Sequence, residues 1–307
     1  MFSQKMSCAL SMALALSISL FGVKSVSAQA LQDVKIQFSA KVSGKPFSCK
    51  DTYPNIGLAK SSVKFGDFRF FISEMTLIDQ GGKKVPLDLD QDGVWQFQNV
   101  ALLDFEDAQD GCAGGSPQLR DFIAGRVPSG HYRGVSFRLG VPFALNHADP
   151  ILAPSPLNLT SMFWTWQGGY KFLKIDVLNN PSSSGHAHVH DHSAHMSGAQ
   201  GQEKISVFSF HLGSTGCQSP AQTKVPQSCD QPNRVYVEFP EFNAITNVII
   251  VDPSVILSGV NVTMNTKGTP PGCLSTSGDP ECEKIFPKLG FSYDGKAGVQ
   301  QSLFTVR

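Results

Sequence analysis

From Val34 to Val42 apolar and polar residues alternate without a break, with Val34, Ile36, Phe38, Ala40 and Val42 on one side and Lys35, Gln37, Ser39 and Lys41 on the other. Successive side chains of an extended chain point to opposite sides, so this pattern builds a strand with one buried face. It recurs along the chain. Phe65 to Ile78 reads as a second strand, closed by the turn sequence Asp79-Gln80-Gly81-Gly82. Strand-like runs follow at Val94–Phe105, Tyr132–Val141, Leu173–Val177, Lys204–Leu212, Arg234–Phe239, Val248–Val251 and Val260–Met264, the last clear one. Pro117 to Gly125 reads as one short helix closed by Gly125. Ala144 to Asn158, with Pro150, Pro154 and Pro156, reads as an ordered loop or short helical turns. Many short strands with hardly any amphipathic helix predict an all-β fold, an antiparallel β-sandwich with Greek-key-like connections and disulfide-stapled loops.

A chain of 307 residues can bury a sizeable core, and its 25 basic and 25 acidic residues cancel. That balance gives no electrostatic case for nucleic acid or an anionic membrane surface. Lys5, the apolar run Ala9–Val23 and the small residues Ser27-Ala28-Gln29-Ala30 read as a secretory signal spanning residues 1–30. The run is short and broken by serines, so no membrane span is expected after cleavage, and the mature chain, 31–307, is expected in the periplasm or secreted as a single domain. Seven cysteines less Cys8, which leaves with the signal, make six: Cys49, Cys112, Cys217, Cys229, Cys273 and Cys282. An even number in an exported chain reads as disulfides. Loop economy favours Cys217 with Cys229 and Cys273 with Cys282, leaving Cys49 with Cys112.

Residues 179–203 interrupt the β pattern with Ser, Gly, His and Gln, and the lack of apolar residues predicts a mobile insert. Within it His186, His188, His190, His192 and His195 account for five of the eight histidines, and Met196 adds a soft sulfur. Imidazoles at this density bind Cu, Ni or Zn as an accessory site, and the same composition also suits a passive solubilising linker.

Trp164 and Trp166 fall within three residues of each other and are followed by the pair Gly168-Gly169 and by Tyr170 and Phe172. Two apart, the tryptophans would share one face of a strand. His147 lies upstream of this centre, and His211 ends an alternating run just before Gly213-Ser214-Thr215-Gly216-Cys217. Each histidine is a candidate metal ligand, and for His211 the alternative is a core imidazole bonded to a backbone carbonyl. No nucleophile elbow, phosphate loop or H-E-x-x-H motif is present, and the acidic turn Asp90-Gln91-Asp92-Gly93 lacks the other ligands of a calcium loop.

Several blocks together resemble the MbnP family of periplasmic copper-binding proteins, the four-Cys proteins of the metallo-mystery pair. They are Phe68-Arg69-Phe70-Phe71-Ile72-Ser73, Val100 to Glu106, Leu139-Gly140-Val141-Pro142 with Asn146-His147, Met162-Phe163-Trp164-Thr165-Trp166 with Gly169-Tyr170-Lys171-Phe172, and His211 to Cys217. The resemblance runs from Val34 to the Phe286-Pro287-Lys288-Leu289-Gly290 ending. It implies a β-sandwich that binds one copper, paired with a di-haem, cytochrome c peroxidase-like (MbnH-like) protein that oxidises a tryptophan to kynurenine, which then helps to hold the metal. Here the resemblance makes Trp164 and Trp166 the candidates for modification and His147 and His211 the imidazole ligands. The six mature cysteines exceed the family's four, and the histidine-rich insert is a further departure. The expected function is copper acquisition, storage or delivery, not catalysis. The alternatives are a mononuclear copper oxidase or oxygenase and a disulfide-stapled binding protein with an incidental histidine tract.

Overall fold

The computed structural model describes Met1 and residues 29–112, 114–165, 167–179, 201–220, 225–293 and 297–307. Most of the expected signal, Trp166 and the tract from His186 to Met196 lie outside the described residues. The elements that build and position the site are, first, β1 (Leu31–Val42), β2 (Ser61–Asp79), β3 (Val100–Asp104), β4 (Phe122–Pro128), β5 (Tyr132–Leu139) and α1 (Phe143–Asn146). Then come β6 (Phe163–Thr165), β7 (Gly169–Tyr170), β8 (Leu173–Leu178), β9 (Val207–Leu212), β10 (Thr215–Gln218), β11 (Ser228–Gln231), β12 (Val235–Phe239), β13 (Ile249–Val251) and β14 (Phe304–Val306).

Two sheets close one core. The smaller runs β14-β13-β1-β4, with Asp88–Leu89 at its edge; the larger runs β12-β5-β2-β8-β9, with Gly272–Cys273 beyond β9 and β3 also paired to β2. Phe38 on β1 packs edge-on against Phe70 on β2 at 6.3 Å and Phe137 on β5 at 5.9 Å. Phe304 on β14 meets the same two rings at 5.7 and 5.3 Å. Each fully buried Phe contributes about 1.5–3 kcal/mol of transfer free energy, so this interlocked quartet is a principal fastener between the sheets. The alternation of β1 behaves as its sequence predicts, with Val34, Ile36, Phe38, Ala40 and Val42 all buried.

Three expectations are corrected. The segment expected as a helix at Pro117–Gly125 instead feeds β4, whose seven residues pair antiparallel with β1 from Leu31↔Pro128 to Gln37↔Phe122. A full ladder on an existing strand outweighs the weak local helix signal of a segment containing Phe122 and Ile123. The fold is all-β and its described pairings are antiparallel, as expected, apart from β1 with β13 and β9 with Gly272–Cys273, which are parallel. Val260–Thr263 is not a strand; pairing there is confined to Met264–Thr266 with Gln202–Lys204, and β14 follows much later. The insert is therefore tied at its downstream end by that ribbon, and at its upstream end by Asn179, whose amide donates to the carbonyls of Ile205 (3.2 Å) and Val262 (2.5 Å). The cysteines pair as Cys49–Cys112, Cys217–Cys229 and Cys273–Cys282. Among the described residues no helix is long and apolar enough to cross a membrane.

Candidate metal centre

Trp164 sits on β6, which turns back as the short hairpin β6–β7 with Phe163 opposite Tyr170, so the aromatic run is a separate ribbon and not a continuation of β8. The hairpin is fixed by its aromatic and glycine content. Tyr170 is fully buried, packs edge-on against Phe71 and Phe163, and donates its hydroxyl to the Leu157 carbonyl; burial pushes that phenol up to about 12. Gly169 has φ +71°, and a Cβ there would lie 2.4 Å from the Asn146 amide nitrogen, so only glycine allows Asn146 to close on the hairpin.

Asn146 is the clasp. It is wholly buried at the end of α1, its Oδ1 accepts from the Tyr170 N–H at 2.8 Å, and its Nδ2 reaches His147 Nε2 at 3.1 Å and Ser214 Oγ at 3.4 Å. The second glycine contact is at Gly213. A Cβ on Gly213 would stand 2.3 Å from Cζ3 of Trp164, which shows how closely the indole is seated on the turn after β9. That turn is held by Ser275, which accepts from the Gly213 N–H at 3.1 Å and donates to the His211 carbonyl at 2.8 Å, and by Asn233, whose amide donates to the Gly213 carbonyl at 2.8 Å. Asn146-His147, Trp164 and His211-Gly213 are thus gathered at one end of the larger sheet.

His211 is not bonded to a backbone carbonyl. It projects from β9 opposite Lys174 on β8, and its Nε2 lies 2.9 Å from Oδ1 of Asp176, which also accepts from Ser209 Oγ at 2.7 Å. Burial holds the His211 imidazole below its ordinary value, with Asp176 partly offsetting the effect, and Nε2–H donates to the carboxylate. Burial works against the Asp176 charge, yet His211, Lys174 and the Ser209 hydroxyl hold its carboxyl far below the usual range. Nδ1 of His211 has no hydrogen-bond partner among the described residues. The Trp164 ring lies 6.5 Å from the imidazole centroid, tilted by 43°.

The same sheet face carries a chain of buried and half-buried charges. Asp67 accepts from Arg69 (2.9 and 2.5 Å) and from Lys174 (2.6 Å), and Lys174 lies 3.4 Å from Asp176. Burial pushes the acids at the other end up, Asp104 to about 8 and Glu106 to about 7, with Arg69 opposing it in both. Lys171, whose Nζ donates to the Ser161 carbonyl at 3.0 Å, is pulled down to about 8 by burial and by Lys174.

His147 is 2% exposed, with its ring edge-on to Phe143 at 4.9 Å. Its Nε2 lies 3.5 Å from Sγ of Cys229 and 4.0 Å from Sγ of Cys217. One imidazole and two sulfurs within 4.8 Å have the donor atoms of a metal site, but here the sulfurs are bonded to each other and carry no thiolate charge. Sequence reasoning places both histidines and Trp164 at the centre but misses Asp176 and Lys174, because polar residues alternating in a strand read as its solvent face. The juxtaposition of His147 with Cys217–Cys229 leaves no sequence signal, since the partners are far apart in the chain.

Fold and centre define a disulfide-stapled all-β protein with two buried imidazoles, a partnering carboxylate and a tryptophan gathered at one sheet end. The chain belongs to the MbnP family, whose model matches residues 31–275. Among solved structures it is similar to MbnP from Methylosinus trichosporium, at 28% identity and a TM-score of 0.74 over 90% of this chain and 98% of that one. No curated protein matches the chain.

Proposed function

We propose that the protein binds copper in the periplasm for acquisition, storage or delivery and is not an enzyme, with His147 and His211 as imidazole ligands. The observation that carries this reading is the geometry of His211: its Nε2 lies 2.9 Å from Oδ1 of the half-buried Asp176, a partner that takes the Nε2–H and leaves the Nδ1 lone pair as the donor atom. A carboxylate behind a ligating imidazole fixes the tautomer and raises its basicity, and loss of such a partner costs about 10–100-fold in metal affinity. Imidazole suits copper. Intact indole offers only an N–H, so Trp164 contributes to binding once its ring is opened to kynurenine, whose aniline nitrogen and carbonyl carry lone pairs. That oxidation is the task of a di-haem, cytochrome c peroxidase-like partner, acting on Trp164 or on Trp166, which lies outside the described residues.

The test compares mature protein produced with and without that partner, by copper titration and peptide mass spectrometry. Partner-treated protein should carry kynurenine in the Trp164/Trp166 peptide and bind copper more tightly. His211→Ala should abolish tight binding, and Asp176→Asn should weaken it about 10–100-fold. Replacement of both tryptophans by Phe with no loss of affinity would remove kynurenine from the site, and an unaffected His211→Ala would show the site to be elsewhere.

A further inference from the structure

The three disulfides lie in unlike surroundings. Cys49–Cys112 and Cys273–Cys282 are sealed in the interior, with no cysteine more than 1% exposed. Cys217 and Cys229 are only partly buried. They face each other directly across the ribbon β10–β11, which joins neither sheet. Thiol–disulfide exchange requires an approaching thiolate to reach a sulfur, so accessibility alone ranks this bond first for reduction. It is also the disulfide that lies against an imidazole.

The unprotonated nitrogen of that imidazole is the one beside the sulfurs. The Asn146 amide is oriented by the Tyr170 N–H on its Oδ1, so its Nδ2 is the donor towards His147 and Nε2 is the unprotonated, accepting nitrogen. A tetrahedral metal with bonds near 2.3 Å to sulfur and 2.0–2.1 Å to nitrogen sets its N and S ligands about 3.6 Å apart. The distances from Nε2 to the two sulfurs are 3.5 and 4.0 Å. The sulfurs would have to separate to about 3.8 Å once the bond between them is broken, and Cys217 Sγ to close on Nε2 by about 0.4 Å.

We propose that Cys217–Cys229 is a redox-gated metal site: reduced by an external dithiol, its two thiolates join His147 Nε2 to bind a thiophilic d10 ion, Cu(I) or Zn(II). In the first step the dithiol supplies two electrons and two protons and becomes a disulfide, while the Cys217–Cys229 bond opens to two thiols. In the second, the ion binds, both thiol protons leave to solvent, and Nε2 exchanges the Asn146 N–H for the metal. Asn146 keeps its bonds to Tyr170 and Ser214. The site shares His147 with the proposed copper centre and uses neither His211 nor a tryptophan.

The experiment uses the mature full chain treated with graded dithiothreitol, desalted without air, and divided between alkylation mapping and titration with Co(II) as the probe. Cys217 and Cys229 should be alkylated before any other cysteine, with near-UV circular dichroism retained. The reduced protein should then show a thiolate-to-cobalt charge-transfer band saturating at one equivalent, absent from oxidised protein and from the Cys217→Ser/Cys229→Ser double variant. Zn(II) or Cu(I) should displace it. His147→Ala should weaken Co(II) binding at least tenfold, whereas His211→Ala should leave the band intact even though it destroys the copper centre proposed above. Labelling of Cys49 or Cys273 alongside Cys217, loss of the folded spectrum on reduction, no charge-transfer band, or a band insensitive to His147→Ala would each overturn the proposal.

Discussion

Gly213→Ala tests the seating of Trp164 with a single methyl group. The added carbon would stand 2.3 Å from Cζ3 and 2.9 Å from Cη2 of the indole, and 2.9 Å from the Tyr170 carbonyl oxygen. Carbon atoms pack at about 3.5–4.0 Å, so the indole must move by more than 1 Å or the turn after β9 must lift off Ser275 and Asn233. Overpacking of this kind costs roughly 1–3 kcal/mol. Cζ3 and Cη2 are the outer benzo atoms that a phenylalanine at 164 would not place there. Trp164→Phe should therefore relieve most of the penalty, leaving the smaller share due to the Tyr170 carbonyl. Chemical denaturation of the wild type, the two single variants and the double variant gives a cycle whose coupling should be about 1–2 kcal/mol, with alanine at 213 less harmful beside Phe than beside Trp. Tryptophan emission in Gly213→Ala should shift to the red as the indole gains water. Additive effects within about 0.5 kcal/mol, with unchanged emission, would refute the contact and with it the placement of Trp164 beside His211.

Two further outcomes follow from the buried acids and from the insert. Asp104 and Asp279 are both pushed up to about 8, chiefly by burial, so the folded protein holds protons that the unfolded chain releases near pH 4. Folding then takes up protons between those values, and stability should fall as pH rises from about 5 to 8, by up to about 1.4 kcal/mol per pH unit for each group. Urea melts across that window should show the decline, and Asp104→Asn should flatten it; stability that rises with pH would contradict the buried, protonated acids. Deletion of His186–Met196 should leave melting temperature and tight copper binding unchanged and remove weak, multi-metal binding, because the chain on either side is anchored separately by Asn179 and by the Gln202–Lys204 ribbon. Loss of the tight site in the deletion variant would move that site into the tract.

The long alternating strand β1 was legible because burial on one face writes itself directly into a period of two. The three disulfide pairs were legible as loop economy, the short spans closing on themselves and leaving Cys49 for Cys112. The segment around Phe122–Pro128 was not, because its apolar residues fit a helical turn as well as a strand and only the presence of β1 beside it decides. Nor was β14: three residues carry too little pattern to stand out.

For the centre the division is different. The chain itself marked His147, Trp164 and His211 through aromatic density, paired glycines and the turn after β9. It could not say why Gly169 and Gly213 are glycines, since the atoms they make room for belong to Asn146 and Trp164. Asp67, Arg69, Lys174 and Asp176 carry the alternation of a wetted strand face, yet Asp67 and Arg69 are no more than 2% exposed and Asp176 is turned into a bond with His211. Alternation records which side of a strand a residue takes. What lies over that side, water or more protein, is set by segments distant in sequence, and it is that covering which lowers the His211 imidazole and sets His147 against a disulfide.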